Sequence, residues 1–162
     1  MSKELDGPAW TVTAAYIADL QSRMWLTHWR VLLQHDQHER SLSDEDGANA
    51  VTEPLTGRHV AQIWFREGWY EDETESQRDK TITCVHELLH LHHRDQTDLI
   101  RTSLHETGAL GQQTYDLLWA AFIDATERMV DLVATAWAGS LPPWPGPCTE
   151  NPAPASKTTK ED

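Results

Sequence analysis

The sequence is short of cysteine, of positive charge and of long apolar runs. Its two cysteines in 162 residues, Cys84 and Cys148, make no disulfide framework. That fits a reducing compartment, and a cytoplasmic protein is expected. Thirteen Lys and Arg stand against 26 Asp and Glu, a formal net charge of −13. Sequence-independent binding to nucleic acid or to an anionic membrane is therefore not expected, because both need clustered cations. No run approaches the ~18 apolar residues of a membrane span. The first residues, Met1-Ser2-Lys3-Glu4-Leu5-Asp6, show no apolar core of a secretory signal.

What is present suits one ordinary domain. Eight Trp and a hydrophobic content of 39% argue against wholesale disorder. A chain of this length buries about two thirds of its unfolded surface, so stability does not oblige it to carry a metal. Residues 140–162 hold six of the eight prolines and read as a Pro-rich tail. Trp144 is placed to dock on the domain, and disorder is expected beyond Pro147. The folded domain is then 1–139. The acidity is uneven, since residues 35–79 carry twelve acids and four bases, or −8 of the −13.

Periodicity gives a coarse α+β outline. Val12, Ala15, Tyr16, Leu20 and Met24 predict a helix over 11–25. Trp29-Arg30-Val31-Leu32-Leu33 is aromatic and β-branched enough for a strand. Residues 35–56 read as loop. Residues 58–65 alternate, with Ala61, Ile63 and Phe65 on one face of a second strand that Gly68 closes. Residues 71–79 read as an acidic, solvated connection. Ile82, Val85, Leu88 and Leu89 mark a helix over about 76–97, and 98–111 reads as a connection. A long helix over 112–138 follows, with Leu117, Leu118, Ala121, Phe122, Ala125, Met129, Leu132, Val133, Ala136 and Trp137 expected to face the core. Gly139 and Pro142 end it.

The chemistry is concentrated in His86-Glu87-Leu88-Leu89-His90. Positions i and i+4 of a helix differ by about 40° around the axis, so both imidazoles project from one face. That spacing suits two nitrogens at 2.0–2.1 Å from one tetrahedral Zn²⁺. Glu87, one step round, can reach a metal-bound water without ligating, which is the arrangement of a general base in a metalloprotease. Shuffling this composition would produce about 0.04 such motifs, so the pattern is not an accident of histidine content.

A catalytic zinc needs a third protein ligand. Glu127 is the leading candidate, mid-helix between Ile123 and Val130, with Asp131 one turn on. Buried acids there are costly unless something positive satisfies them. In that arrangement Glu127 ligates, and Asp131 accepts a hydrogen bond from the free nitrogen of a ligating His. Glu106 and His93 are the rival ligands, and Asp124 is a further supporting acid. Candidate donors to a developing oxyanion are Tyr115, His105 and His93.

These residues resemble the gluzincin zinc peptidases, in which HExxH lies on one helix and a Glu ligand on a later one, with Asp four residues on. The short chain is most similar to the stand-alone minigluzincins and to small metallopeptidase-like proteins of bacteriophages. In the latter a W-x-V strand and an R-x-x-A-x-I strand precede the HELLH helix. Here these are Trp29-Arg30-Val31, Arg58-His59-Val60-Ala61-Gln62-Ile63 and Val85-His86-Glu87-Leu88-Leu89-His90. The resemblance covers about residues 25–138. It implies a minimal zincin-like α+β fold, with a small antiparallel sheet packed on the HExxH helix and on a long glutamate-bearing helix. It also implies Zn²⁺ as cofactor, a peptide or protein as substrate, and an edge strand that aligns the substrate; 58–65 is the candidate edge.

The expected activity is zinc-dependent peptide hydrolysis, more in the manner of an endopeptidase than an exopeptidase, with Glu87 as general base. Two alternatives stand beside it. One is a regulator protease of HExxH-E type that cuts a transcriptional repressor. The other is a non-catalytic acidic interaction protein with a structural metal site. If the acidic segment 35–79 rims the cleft, basic or neutral peptides should be preferred over acidic ones.

Overall fold

A computed structural model describes residues 8–35, 48–55, 58–66, 68–105 and 110–147. Helix α1 runs Pro8–Arg23, and proline suits a first helical position because its missing N–H has no partner there anyway. Thr13, Tyr16, Ile17, Leu20 and Met24 are its buried stripe. Its end is a Schellman turn. The Leu26 N–H reaches back to Gln21 O at 2.8 Å, and the Trp25 N–H to Ser22 O at 3.3 Å. That turn puts Trp25 in the left-handed region, at φ 53°.

Three strands follow: β1 (Arg30–His35), β2 (Ala50–Pro54) and β3 (Val60–Phe65). β3 is central, parallel to β1 and antiparallel to β2. The sheet is therefore mixed, not antiparallel as expected. The link from β2 into β3 is too short for anything but a hairpin, which fixes their antiparallel pairing. β1 must then take the other edge of β3. Residues Ala61, Ile63 and Phe65 are fully buried on one face, while the alternate residues are half-buried. Strand β2 lies inside the segment read as loop. Only five residues long and ending in Pro54, it has the signature of an edge.

Gly68, at φ 76°, turns the chain out of the sheet into a 3₁₀ turn, Trp69–Glu71, which buries Trp69 and Tyr70. Phe65 and Trp69 stack with ring centroids 4.7 Å apart. Helix α2 then spans Gln77–His105 and helix α3 spans Gln112–Ala138. α2 continues two turns past the end expected at residue 97. The Arg94–Asp98 ion pair one turn apart and the Thr97 hydroxyl bonded to His93 O bridge that point. His86 meets Asp131, and His90 meets Glu127, so the two long helices are antiparallel.

Residues 141–147 pack against the body as a strap. Trp144 is fully buried, edge-on to Tyr16 and Trp69. The Tyr16 hydroxyl donates to Pro142 O at 2.7 Å, and the Trp144 N–H donates to Thr81 Oγ1 at 2.9 Å. Buried Lys80 donates to Trp69 O at 2.9 Å and to Pro147 O at 3.0 Å, with both indole rings beside its ammonium. The disorder expected beyond Pro147 concerns residues outside those described. Among the described residues no helix is long and apolar enough to cross a membrane.

Candidate metal centre

Helix α2 presents His86 and His90 side by side on the flank facing α3, and α3 presents Glu127 to both. His86 Nε2 and His90 Nε2 are 3.0 Å apart. Glu127 Oε2 lies 3.5 Å from the first and 3.6 Å from the second. Three donors held about 2.05 Å from a tetrahedral ion stand about 3.3 Å from one another, so the observed triangle matches one small divalent cation. It is the one group of three or more His, Cys, Asp and Glu among the described residues whose donor atoms converge within 4.8 Å. Two neutral imidazoles and a carboxylate are also a donor set suited to zinc.

The surroundings orient these donors. Asp131 Oδ1 lies 2.9 Å from His86 Nδ1, the nitrogen on the far side of the ring from the triangle. That contact holds the tautomer that leaves Nε2 free for a metal. Burial pulls the His86 pKa down, but its hydrogen bond with Glu127 and the charges of Glu87 and Asp131 outweigh it, and the net shift is upward. For His90 burial prevails over Glu127 and the shift is downward, which favours a neutral, ligating ring. The hydrogen bond with His86 holds Glu127 below the ordinary carboxylate value.

Glu87 points from the other side of α2 toward β2. It is buried, and its Oε2 has no hydrogen-bond partner among the described residues. Burial pushes its carboxyl up to about 7, against hydrogen bonding from Thr52 of β2 that pulls the other way. The Thr52 hydroxyl also donates to the Glu87 backbone carbonyl at 3.0 Å, tying the edge strand to the base. An orphaned acceptor in a polar recess is costly unless a water or a ligand meets it.

A cleft of about 400 Å³ opens over these groups. Ala50, Val51 and Thr52 of β2 form one wall, and Ile123, Thr126 and Glu127 of α3 the other. His93 and Arg94 continue the floor along α2. His93 is thus the one named oxyanion donor that reaches the cleft; it is not part of the three-donor triangle. Tyr115 is stacked on Trp119 three turns up α3 from Glu127, about 18 Å along the axis, so it does not reach the site. The His105 backbone ends α2 about 22 Å along the axis from His90, and its side chain lies outside those described. Glu106 lies outside the described residues. Asp124 faces solvent and pairs with Arg128.

Two participants escaped the sequence reading. Thr52 was hidden in an apparent loop, and Arg94, one turn beyond the motif, was not singled out. The expected edge strand also changes identity. β3 is paired on both sides, and β2 borders the cleft. Bonds from Leu55 N to Val60 O and from Arg66 N to Asn49 O fix which β2 residues bond β3. With that register Ala50, Thr52 and Pro54 direct their backbone groups away from β3.

No family model matches this chain, and neither a curated protein nor a solved structure does.

Proposed function

We propose that the chain is a zinc-dependent peptidase with a minimal, gluzincin-type arrangement. The observation that carries this is the triangle of His86, His90 and Glu127 donors, 3.0, 3.5 and 3.6 Å apart, beside a buried and unpartnered Glu87 oxygen. A zinc ion held there supplies a Lewis acid that acidifies water and polarises a carbonyl. Glu87 takes the proton from the attacking water. A carboxyl whose pKa burial has raised to about 7 can both accept and release a proton near neutrality. It then hands that proton to the departing amine. Thr52 ties β2 to the Glu87 main chain, and Asp131 keeps the His86 ring from turning.

The outward backbone groups of β2 offer a rail on which an extended peptide can pair before it meets Glu87. His93 lines the cleft and in this reading donates to the oxyanion. The fold supports the same reading, with a small sheet whose edge strand lies against the HExxH helix and a second helix delivering the carboxylate.

The test is metal content and turnover on the full chain. Wild-type protein should carry one zinc per chain and cleave a casein-like substrate in a chelator-sensitive way. Glu127→Ala should lose the zinc while keeping its circular dichroism. Glu87→Gln should keep the zinc and lose about 10²–10⁴-fold in rate. A wild-type protein that purifies without stoichiometric zinc and takes up none on titration ends this reading.

A further inference from the structure

We propose that a second hollow, beyond Arg94, is a subsite that selects a primary carboxamide side chain, glutamine before asparagine, two to three residues from the scissile bond. The assignment rests on the peptidase reading of the adjoining cleft and names a feature of its substrate. The hollow measures about 190 Å³ and shares Arg94 with the metal cleft, so the two adjoin along α2. It is well below the ~300–1,000 Å³ of sites that enclose a whole small molecule. An occupant of that size is one side chain of a peptide already lying in the cleft.

Two rulers place the hollow. Along α2, Asp95 and Asp98 lie five and eight residues past His90, about 7.5 and 12 Å along the axis. Along the edge strand, Leu55 at the lip of the hollow is three residues past Thr52, whose hydroxyl is bonded to the Glu87 main chain. That is about 10 Å at ~3.3 Å per residue. An extended peptide covers either distance in two to three residues. The outward backbone rail of β2 also ends here. Pro54 has no N–H to offer, so a peptide leaves strand pairing at that point and passes over the hollow.

The lining decides the chemistry. Leu55 and the buried indole of Trp29 give apolar contact for a methylene stem, and the His59 ring packs on Trp29 with centroids 5.2 Å apart. Four permanent charges surround the head of the occupant. Arg94 and Asp98 engage each other, Nε to Oδ2, at 2.9 Å. Arg58, just before β3, and Asp95 of α2 line the same hollow with no ion pair among the described residues. A carboxylate entering there meets Asp95 and Asp98 as well as Arg58. An ammonium meets Arg58 and Arg94 as well as Asp95. Either full charge loses to its like neighbours much of what the opposite charge gives. A carboxamide is neutral, and one planar group carries an acceptor oxygen for Arg58 and N–H donors for Asp95. The hollow therefore rejects charged side chains by sign and not by size.

A peptide library varied among Gln, Glu, Lys and Leu, digested by the full zinc-loaded chain and read by mass spectrometry, tests this. Gln should be enriched about fivefold at one position two or three residues from the cut, the worth of one net hydrogen bond. Asp95→Arg should move that position toward Glu, and Arg58→Glu toward Lys, with zinc content and circular dichroism unchanged. The double swap of Arg58→Asp with Asp95→Arg should return it to Gln. Retention of the same library on immobilised, zinc-loaded Glu87→Gln protein reads the order without turnover. Cleavage with no preference at that position overturns the subsite and leaves the peptidase reading standing, and so does a preference that neither charge reversal moves. A chain that cleaves nothing yet retains Gln peptides ahead of the rest ends the peptidase reading and keeps the subsite. Neither cleavage nor ordered retention ends both.

Discussion

Trp25 holds a position that glycine usually takes. It is the left-handed residue of the turn that closes α1, at φ 53°, and its indole is 80% exposed. A side chain there costs about 1–2 kcal/mol in backbone strain, and so exposed a ring recovers little of it by packing. Trp25→Gly should therefore stabilise the protein by about 0.5–1 kcal/mol, part of the relief being offset by glycine's greater freedom when unfolded. A urea midpoint that falls instead would mean that the indole makes a contact of value. Asp72 is a second residue with a readable consequence. Hydrogen bonds from the Thr74 side chain and backbone, and then from Arg66, hold its carboxyl down to about 2, from an ordinary 3.8. Its folded pKa lies below the unfolded one. Its contribution is therefore present above about pH 4 and lost as the pH falls through 2. Urea midpoints of wild type and Asp72→Asn should differ at pH 6 and converge toward pH 2; parallel curves across that range would remove Asp72 from the acid response.

Among the elements, what could be read in advance was what depends on near neighbours in sequence. The HExxH face needs only five residues and one helix, and the Asp131 contact to His86 needs only the right pair of faces on α2 and α3. β2 could not be read, because its five residues become a strand only by pairing with β3 and covering Glu87. α3 was misread in an instructive way. Its regular apolar spacing was assigned to the core, yet the core receives Val130, Ala134 and Ala138 on the side that also carries Glu127. Leu117, Leu118, Met129 and Leu132 face outward. Periodicity reports that a face is apolar and leaves open which neighbour covers it. The strap is a further element whose weight comes from long-range packing. Trp144 fills a space between Tyr16, Trp69 and Thr81, and a Cβ on Gly146 would lie 2.7 Å from its indole nitrogen. Trp144→Ala should cost about 3–5 kcal/mol. A loss below ~1 kcal/mol in urea unfolding would show that the strap merely rests on the surface.

For the molecule as a whole, the charges of the described residues around the cleft lead to a different prediction from the one drawn from composition. The acids of 71–79 do not rim the cleft. Asp72 and Glu75 turn to Arg66, at 3.0 and 3.6 Å, and Glu75 also accepts from the Trp69 indole at 3.1 Å. The stretch Asp44-Glu45-Asp46 lies outside the described residues. Of the described residues lining the cleft, the only acids are Glu87 and Glu127, both committed to the site, and the one permanent cation is Arg94. Arg94 follows His90 by one helical turn, about 6 Å along the axis. That is one to two residues of an extended peptide at about 3.3–3.6 Å each. It also borders a smaller hollow of about 190 Å³, lined by Arg58 and His59 together with Asp95 and Asp98, where the charges are mixed. Asp98 engages the Arg94 Nε at 2.9 Å, which steadies the guanidinium and leaves it further donors. Cleavage should therefore favour peptides with an acidic side chain, or a free C-terminal carboxylate, one or two residues from the scissile bond. A charge-assisted hydrogen bond of about 1.5–3 kcal/mol makes that preference roughly tenfold or more. Digestion of a mixed peptide library, read by mass spectrometry, should show acidic enrichment at one such position for wild type and basic enrichment for Arg94→Glu. Libraries with free and amidated C-termini separate the two sources of carboxylate. Cleavage by wild type with no charge preference would remove Arg94 from substrate selection while leaving the zinc site untouched.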